Sequence, residues 1–203
     1  PPYNERTGPC TYCPGGPGSI FGNVPQSYTG KEPSTRRAIR NNYDPYLIAF
    51  NRLEHYVAMG KIPDKAEIII QGGTFTFFPR AYQEYFIKYA LKAMNDFSKL
   101  FFDEDGTLNV LKFKKFFELP RILNEEDNRI KRIQYKLFYI KNLDLNDFEF
   151  KKKAEKLFFE DNNFNVENNN VQINNAVGKI ENNNANEIHV SMQNQPLNII
   201  ENP

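Results

Sequence analysis

Asp64-Lys65-Ala66-Glu67-Ile68-Ile69-Ile70-Gln71-Gly72-Gly73-Thr74-Phe75 decides how the chain is put together. Successive isoleucines suit a surface buried on both faces, and the glycine pair ends the run. The stretch predicts a buried parallel strand over 64–70 that opens into a loop at Gly72-Gly73. Glycines at the carboxyl end of such a strand let backbone groups approach a ligand closely. An ordinary strand-to-loop turn would use the same two residues.

Helical patterns lie on either side. Asp44-Pro45 has the composition of a helix start, with Asp as N-cap and Pro at the first helical position. Tyr46, Phe50, Leu53 and Val57 follow at helical spacing, and Gly60 suits the stop. Pro79 opens a second helix, with Tyr82, Phe86, Ala90 and Ala93 on one face. Helix, strand and helix over 44–97 predict a piece of an α/β layer structure.

The character changes near Asp96. Residues 98–160 are rich in Lys and Phe, and Ile130, Ile133, Leu137 and Ile140 recur at helical spacing. Pro120 separates two helices. Strand alternation is absent, so 98–160 is predicted to be a helical insert. Asp103-Glu104-Asp105-Gly106 hints at a calcium loop, but Phe101 and Lys112 would fall on its first and last ligand positions. A turn is expected there instead. In 161–203 Asn dominates, as in Asn168-Asn169-Asn170, and apolar residues are scattered singly. Such a segment buries too little to offset its ordering entropy and is expected to be disordered.

Residues 1–43 are rich in Pro, Gly, Ser, Thr and Asn. They predict a structured loop with a short helix at Ser34–Arg40. This region holds Cys10-Thr11-Tyr12-Cys13-Pro14-Gly15-Gly16-Pro17, with the only two cysteines of the chain. A closed zinc site needs four ligands, and the only histidines are His55 and His189. A thioredoxin-type site needs a helix to begin at the first cysteine, and Pro14-Gly15-Gly16-Pro17 prevents that. A pair of structural free thiols remains open. Iron–sulfur ligation suits thiolates and a tight Pro-Gly loop that can wrap a bulky cluster, with Tyr12 placed to cover the cluster or an adenine ring. A cubane cluster needs at least three protein thiolates, one more than the chain has.

Arg36-Arg37-Ala38-Ile39-Arg40 is a compact basic patch, with Lys31 just before it and Tyr28 and Tyr43 flanking. It is either a solvated helix face or a phosphate-binding surface whose tyrosines stack on bases. Net charge is +1 over 203 residues, so any nucleic-acid argument rests on this local patch. No run of 18 apolar residues is present, so no membrane span is expected. The start lacks a signal-peptide layout. One tight cysteine pair is no secreted disulfide framework, and a reducing cytoplasm is the expected location.

Taken in order, Cys10 to Pro17, Gln26-Ser-Tyr-Thr-Gly30, Glu32-Pro33, Arg37-Ala-Ile-Arg40, Tyr43-Asp-Pro45, Asp64-Lys65 and Gly72-Gly-Thr-Phe75 closely resemble the Elongator catalytic-subunit family. These are radical S-adenosylmethionine enzymes that modify the tRNA wobble uridine. The resemblance covers residues 1 to about 95. It implies a fragment of a radical (β/α) barrel, followed by the helical insert and the Asn-rich tail, which resemble nothing in the family. It implies a 4Fe–4S cluster held by three cysteines. Cys10 and Cys13 match the second and third, and the first would fall one position before Pro1. Gly72, Gly73 and Thr74 match a motif that contacts S-adenosylmethionine, with Tyr12 beside the same cofactor. Lys65 matches an acetyl-CoA-binding lysine. Lys31, Arg36, Arg37 and Arg40 would face tRNA. The implied activity is an acetyl-CoA-dependent acyl transfer that leaves a carboxymethyl group on the uracil ring. It is expected of the full-length family, with this fragment inactive alone. Other Elongator subunits or a homodimer partner are implied. A non-catalytic tRNA-binding remnant and a zinc or thiol structural module are the alternatives.

Overall fold

The computed structural model describes residues 12–71, 75–120 and 126–160. Within them a short antiparallel hairpin pairs β1 (Gly16–Ser19) with β2 (Gly22–Val24). Six α-helices follow: α1 (Pro33–Arg40), α2 (Pro45–Ala58), α3 (Arg80–Phe101), α4 (Val110–Phe116), α5 (Glu126–Lys141) and α6 (Asp147–Ala154). A 3-10 turn (Phe75–Phe77) precedes α3, and a π-helical turn (Glu155–Glu160) continues α6.

Local chemistry sets these boundaries as expected. The Asp44 carboxylate accepts the Leu47 N–H at 3.1 Å, and Pro45 opens α2. Gly60 takes φ +75°, where a side chain is strained, just beyond the last turn. Pro79 stands at the N-cap of α3. Asp103–Gly106 is the expected turn, closed by the Gly106 N–H on the Asp103 carbonyl at 3.0 Å. Pro120 lies between α4 and α5.

The core is aromatic. Phe50 from α2 meets Phe97 and Phe101 from α3, with ring centroids 5.2 and 6.2 Å away. Phe116 and Phe117 close over them, and Ile133, Leu137 and Ile140 of α5 extend the same cluster. Phe150 and Phe158 seal its far side. The Lys/Phe-rich segment therefore supplies the surface on which α2 and α3 bury their apolar faces. Helix α3 itself runs unbroken through position 97.

Polar groups lock this packing. Lys136 reaches the Phe116 carbonyl at 3.0 Å and Glu118 at 2.9 Å, while Arg132 holds Glu118 at 2.7 Å. Arg129 donates to the Phe117 carbonyl at 2.7 Å. Cations spaced along α5 thus satisfy the last carbonyls around α4, where a helix leaves acceptors without internal donors. Burial lowers the Lys136 ammonium pKa, against the pull of Glu118. Lys141 bonds to Asp44, joining the end of α5 to the start of α2. Burial would depress Lys141, but Asp44 and Tyr85 outweigh it and raise its pKa.

Three expectations need correction. The parallel strand over 64–70 is not formed: the segment bends at 64–65, has no regular structure beyond, and has no ladder partner among the described residues. Ile68, Ile69 and Ile70 are 40, 77 and 37 % exposed, so the β-branched run is not covered by the described residues. The fold described is mixed and mainly helical with one small sheet, compatible with an α/β class at that coarse level. Ile130 lies outside the core at 41 % exposure, while Ile133, Leu137 and Ile140 are inside it. The expected loop over 1–43 contains a hairpin, and its helix begins one residue early, at Pro33. The Asn-rich stretch 161–203 lies outside the described residues.

Candidate nucleic-acid interface and cysteine loop

Cys13 sits half-buried, as a free thiol, at the entry to the hairpin. Cys10 lies outside the described residues. Two residues after Cys13 the chain is pinned: the Gly15 N–H donates to the Gln26 carbonyl at 3.0 Å. A turn closes opposite it, with the Tyr28 N–H on the Pro25 carbonyl at 2.9 Å. A Cβ on Gly15 would lie 2.2 Å from the Tyr28 carbonyl oxygen and 2.6 Å from that of Pro25. Only glycine fits here, for close approach of backbone to backbone.

Gly15→Ala should therefore displace the 25–28 turn at a cost of about 1–3 kcal/mol in local stability. The hairpin supplies no residue to the aromatic core. Hydrogen exchange should show faster exchange at the Gly15 and Tyr28 amides, with the melting temperature nearly unchanged. Wild-type protection at both amides would mean that the backbone around Gly15 has slack.

Tyr12 is 88 % exposed. Gly72, Gly73 and Thr74 lie outside the described residues. Lys65 is exposed and pairs with Glu67 at 3.1 Å. Among the described residues no group of three or more His, Cys, Asp or Glu side chains is placed to hold a metal ion. An open groove of about 600 Å³ between the 63–66 segment, α3 and the 103–106 turn contains none of the expected site residues. Its rim carries both signs, with Lys99 held on Asp147 at 2.6 Å, which is the character of a solvated surface.

The basic patch is better organised. Glu32 fastens the loop before α1, accepting from the Thr29 N–H and hydroxyl at 2.9 Å each. The Thr29 backbone bond leads in holding its carboxyl down, from 4.5 to about 2. A depressed carboxylate stabilises above its ordinary range, so this tie weakens only as pH falls from 4.5 toward about 2. Helix α1 then presents Arg36 and Arg40 to solvent, with Lys31 exposed just ahead, while Arg37 turns inward and is half-buried. Burial lowers the Arg37 pKa, and the neighbouring guanidiniums of Arg52 and Arg40 lower it further. No ion pair joins Arg36, Arg37, Arg40 or Arg52 to a carboxylate among the described residues. Tyr28 and Tyr43 are half-buried.

The charges of Arg40 and of Arg52, a residue the sequence did not single out, both act on Arg37. Arg52 sits on α2 beside Leu53, within a pattern that reads as core. Its signal was its spacing to Tyr56, four residues on, which puts both side chains on one face.

No protein-family profile matches the chain. Curated relatives do. Over 102 residues, half of this chain, it is 47 % identical to the tRNA uridine(34) acetyltransferase of Methanocaldococcus jannaschii. It is 52 % identical over 39 % of its length to Elongator complex protein 3 of Bos taurus. It is 46 % identical over 47 % of its length to Elongator complex protein 3 of Saccharomyces cerevisiae. The matched region spans only 19, 14 and 17 % of those proteins. Over about half its length, then, this chain is similar to one part of the proteins named tRNA uridine(34) acetyltransferase and Elongator complex protein 3.

Proposed function

We propose that this chain is part of an enzyme that modifies the wobble uridine of tRNA, and that α1 and its approach form an RNA-facing surface. The observation that supports this best is the cluster of Arg36, Arg37, Arg40 and Arg52, with no ion-paired carboxylate among the described residues. In a chain of net charge +1, four guanidiniums without acidic partners suit a polyanion. The substrate in the archaeal relative's name, tRNA uridine, is the matching polyanion.

The finer chemistry belongs to the same proposal. Cys10 and Cys13 would hold iron of a 4Fe–4S cluster. A half-buried reduced sulfur on a loop stiffened at Gly15 fits that use. The two thiols are one short of the three that such a cluster takes, so a further donor is required. Gly72, Gly73, Thr74 and Tyr12 would contact S-adenosylmethionine. Lys65 would bind an acetyl-CoA phosphate by exchanging its exposed partner Glu67 for a stronger anion. When bound, these groups supply the radical and acyl chemistry of uracil carboxymethylation; the chain's own residues bind and orient. Other Elongator subunits or a second copy are the proposed partners, in a cytoplasmic setting. No helix among the described residues is long and apolar enough to cross a membrane.

A second reading, an RNA-binding module without chemistry, draws on one observation. Among the described residues, helices α2 and α3 bury their faces on α4, α5 and α6, and the core they close contains no barrel strand.

The test is binding of an anticodon stem-loop RNA to the chain across a salt titration. Arg37→Ala with Arg40→Ala should weaken binding by at least tenfold. The slope of log K against log salt should flatten by about 0.7–0.9 for each phosphate that the variant no longer neutralises. An unchanged slope would return α1 to a plain solvated face.

A further inference from the structure

Arg52 is held in an unusual way for a surface cation. Its guanidinium carbon lies 4.2 Å from the centre of the Tyr56 ring, and a terminal nitrogen donates to the Tyr56 hydroxyl at 2.9 Å. Both contacts come from the residue one turn further along α2. The fork is therefore oriented in advance, with its remaining N–H groups available. The charge of Arg52 also acts on Arg37 of α1. The Arg37 Nε is buried and has no hydrogen-bond partner among the described residues.

This arrangement is costly as it stands. A buried N–H without an acceptor costs about 1–3 kcal/mol. Two like charges at a half-buried site repel more than they would in water. One anion between the forks relieves both, and planar guanidiniums match the oxygens of a phosphate in pairs. The surroundings favour a phosphate within a polymer over a free ion. Exposed Arg36, Arg40 and Lys31 continue the positive surface along α1 and its approach, and a single small anion would leave them without partners.

Resting on the RNA reading above, we infer that Arg37 and Arg52 together form a binding site for one backbone phosphate of the RNA, with Tyr56 fixing the orientation of Arg52. The site makes Arg52 the anchor of the interface and the exposed arginines of α1 its outlying contacts.

The experiment uses the full chain, an anticodon stem-loop RNA and fluorescence anisotropy over a salt titration. Arg52→Ala should weaken binding about tenfold and flatten the salt slope by about 0.7–0.9, the value for one phosphate. Arg52→Lys keeps the charge but loses the fork, so the slope should hold while affinity falls about threefold or more. Tyr56→Phe keeps the ring but not the acceptor, and should cost a few-fold in affinity at constant slope. Circular dichroism checks that each variant is folded. Wild-type affinity and slope in folded Arg52→Ala overturn the inference while leaving the RNA reading intact. If that variant does not fold, wild-type affinity in both Arg52→Lys and Tyr56→Phe overturns it equally. A wild-type chain that binds no RNA overturns both.

Discussion

Phe101→Ala lowers the unfolding free energy by about 3–5 kcal/mol, against a total of about 5–15 kcal/mol for a domain of ordinary stability. Phe101 is completely buried. Its ring packs on Phe97 at 4.8 Å, Phe116 at 5.3 Å, Phe113 at 5.5 Å and Phe117 at 5.7 Å, mostly edge to face. It also touches Phe50 of α2. Truncation removes the buried area and these ring contacts together, and neighbouring rings are too rigid to collapse into the void. Phe101→Leu keeps most of the volume and should cost clearly less. Phe148→Ala is the control: at 76 % exposure it should change stability by under about 0.5 kcal/mol. Urea unfolding of the three variants checks the order. Because Phe101 links α2 to α4, the result also decides whether 98–160 is integral to the fold. A Phe101→Ala chain as stable as wild type would mean that the Lys/Phe-rich segment does not share a core with α2 and α3.

What was legible in the sequence was what local chemistry controls. Asp44-Pro45 and Gly60 set the ends of α2, Pro79 the start of α3, and Pro120 a break, because caps and forbidden dihedrals act within a few residues. The run Ile68-Ile69-Ile70 misled for the opposite reason. Strand propensity records fitness for a pleated, covered surface, and whether a cover exists depends on residues far away in the chain. The hairpin at 16–24 was hidden because glycines and prolines interrupt any alternation. Its register is irregular between the Gly16–Val24 and Ser19–Gly22 pairs. Among candidate site residues, the helix carrying Arg36, Arg37 and Arg40 was visible as a charge cluster. The influence of Arg52 on Arg37 was not, since the two lie on different helices, fifteen positions apart in sequence. The buried use of Lys136 and Arg129 was equally hidden: in sequence they are ordinary helical cations, and in the fold they satisfy carbonyls around α4.

Cys13→Ser should reduce iron incorporation to near zero when the chain is reconstituted anaerobically with iron, sulfide and an excess of a small thiol. The small thiol matters because the chain carries two cysteines and a cubane cluster needs at least three thiolates. Under those conditions the unaltered chain should take up about four irons and show broad brown absorption. A serine hydroxyl is nearly the same size as the thiol but is a hard, weakly acidic donor. It does not replace a thiolate on iron. Size is preserved, so the Gly15 turn and the hairpin should stay intact. Unchanged hydrogen exchange at the Gly15 amide separates a missing ligand from a disrupted fold. Cys10→Ser should behave alike, because one remaining thiol cannot hold the cluster. Full iron content in Cys13→Ser would sink the ligand assignment. Stoichiometric zinc with no iron in the unaltered chain would assign the pair to a structural role, and an RNA affinity that survives in every cysteine variant would place binding and metal on independent parts of the chain.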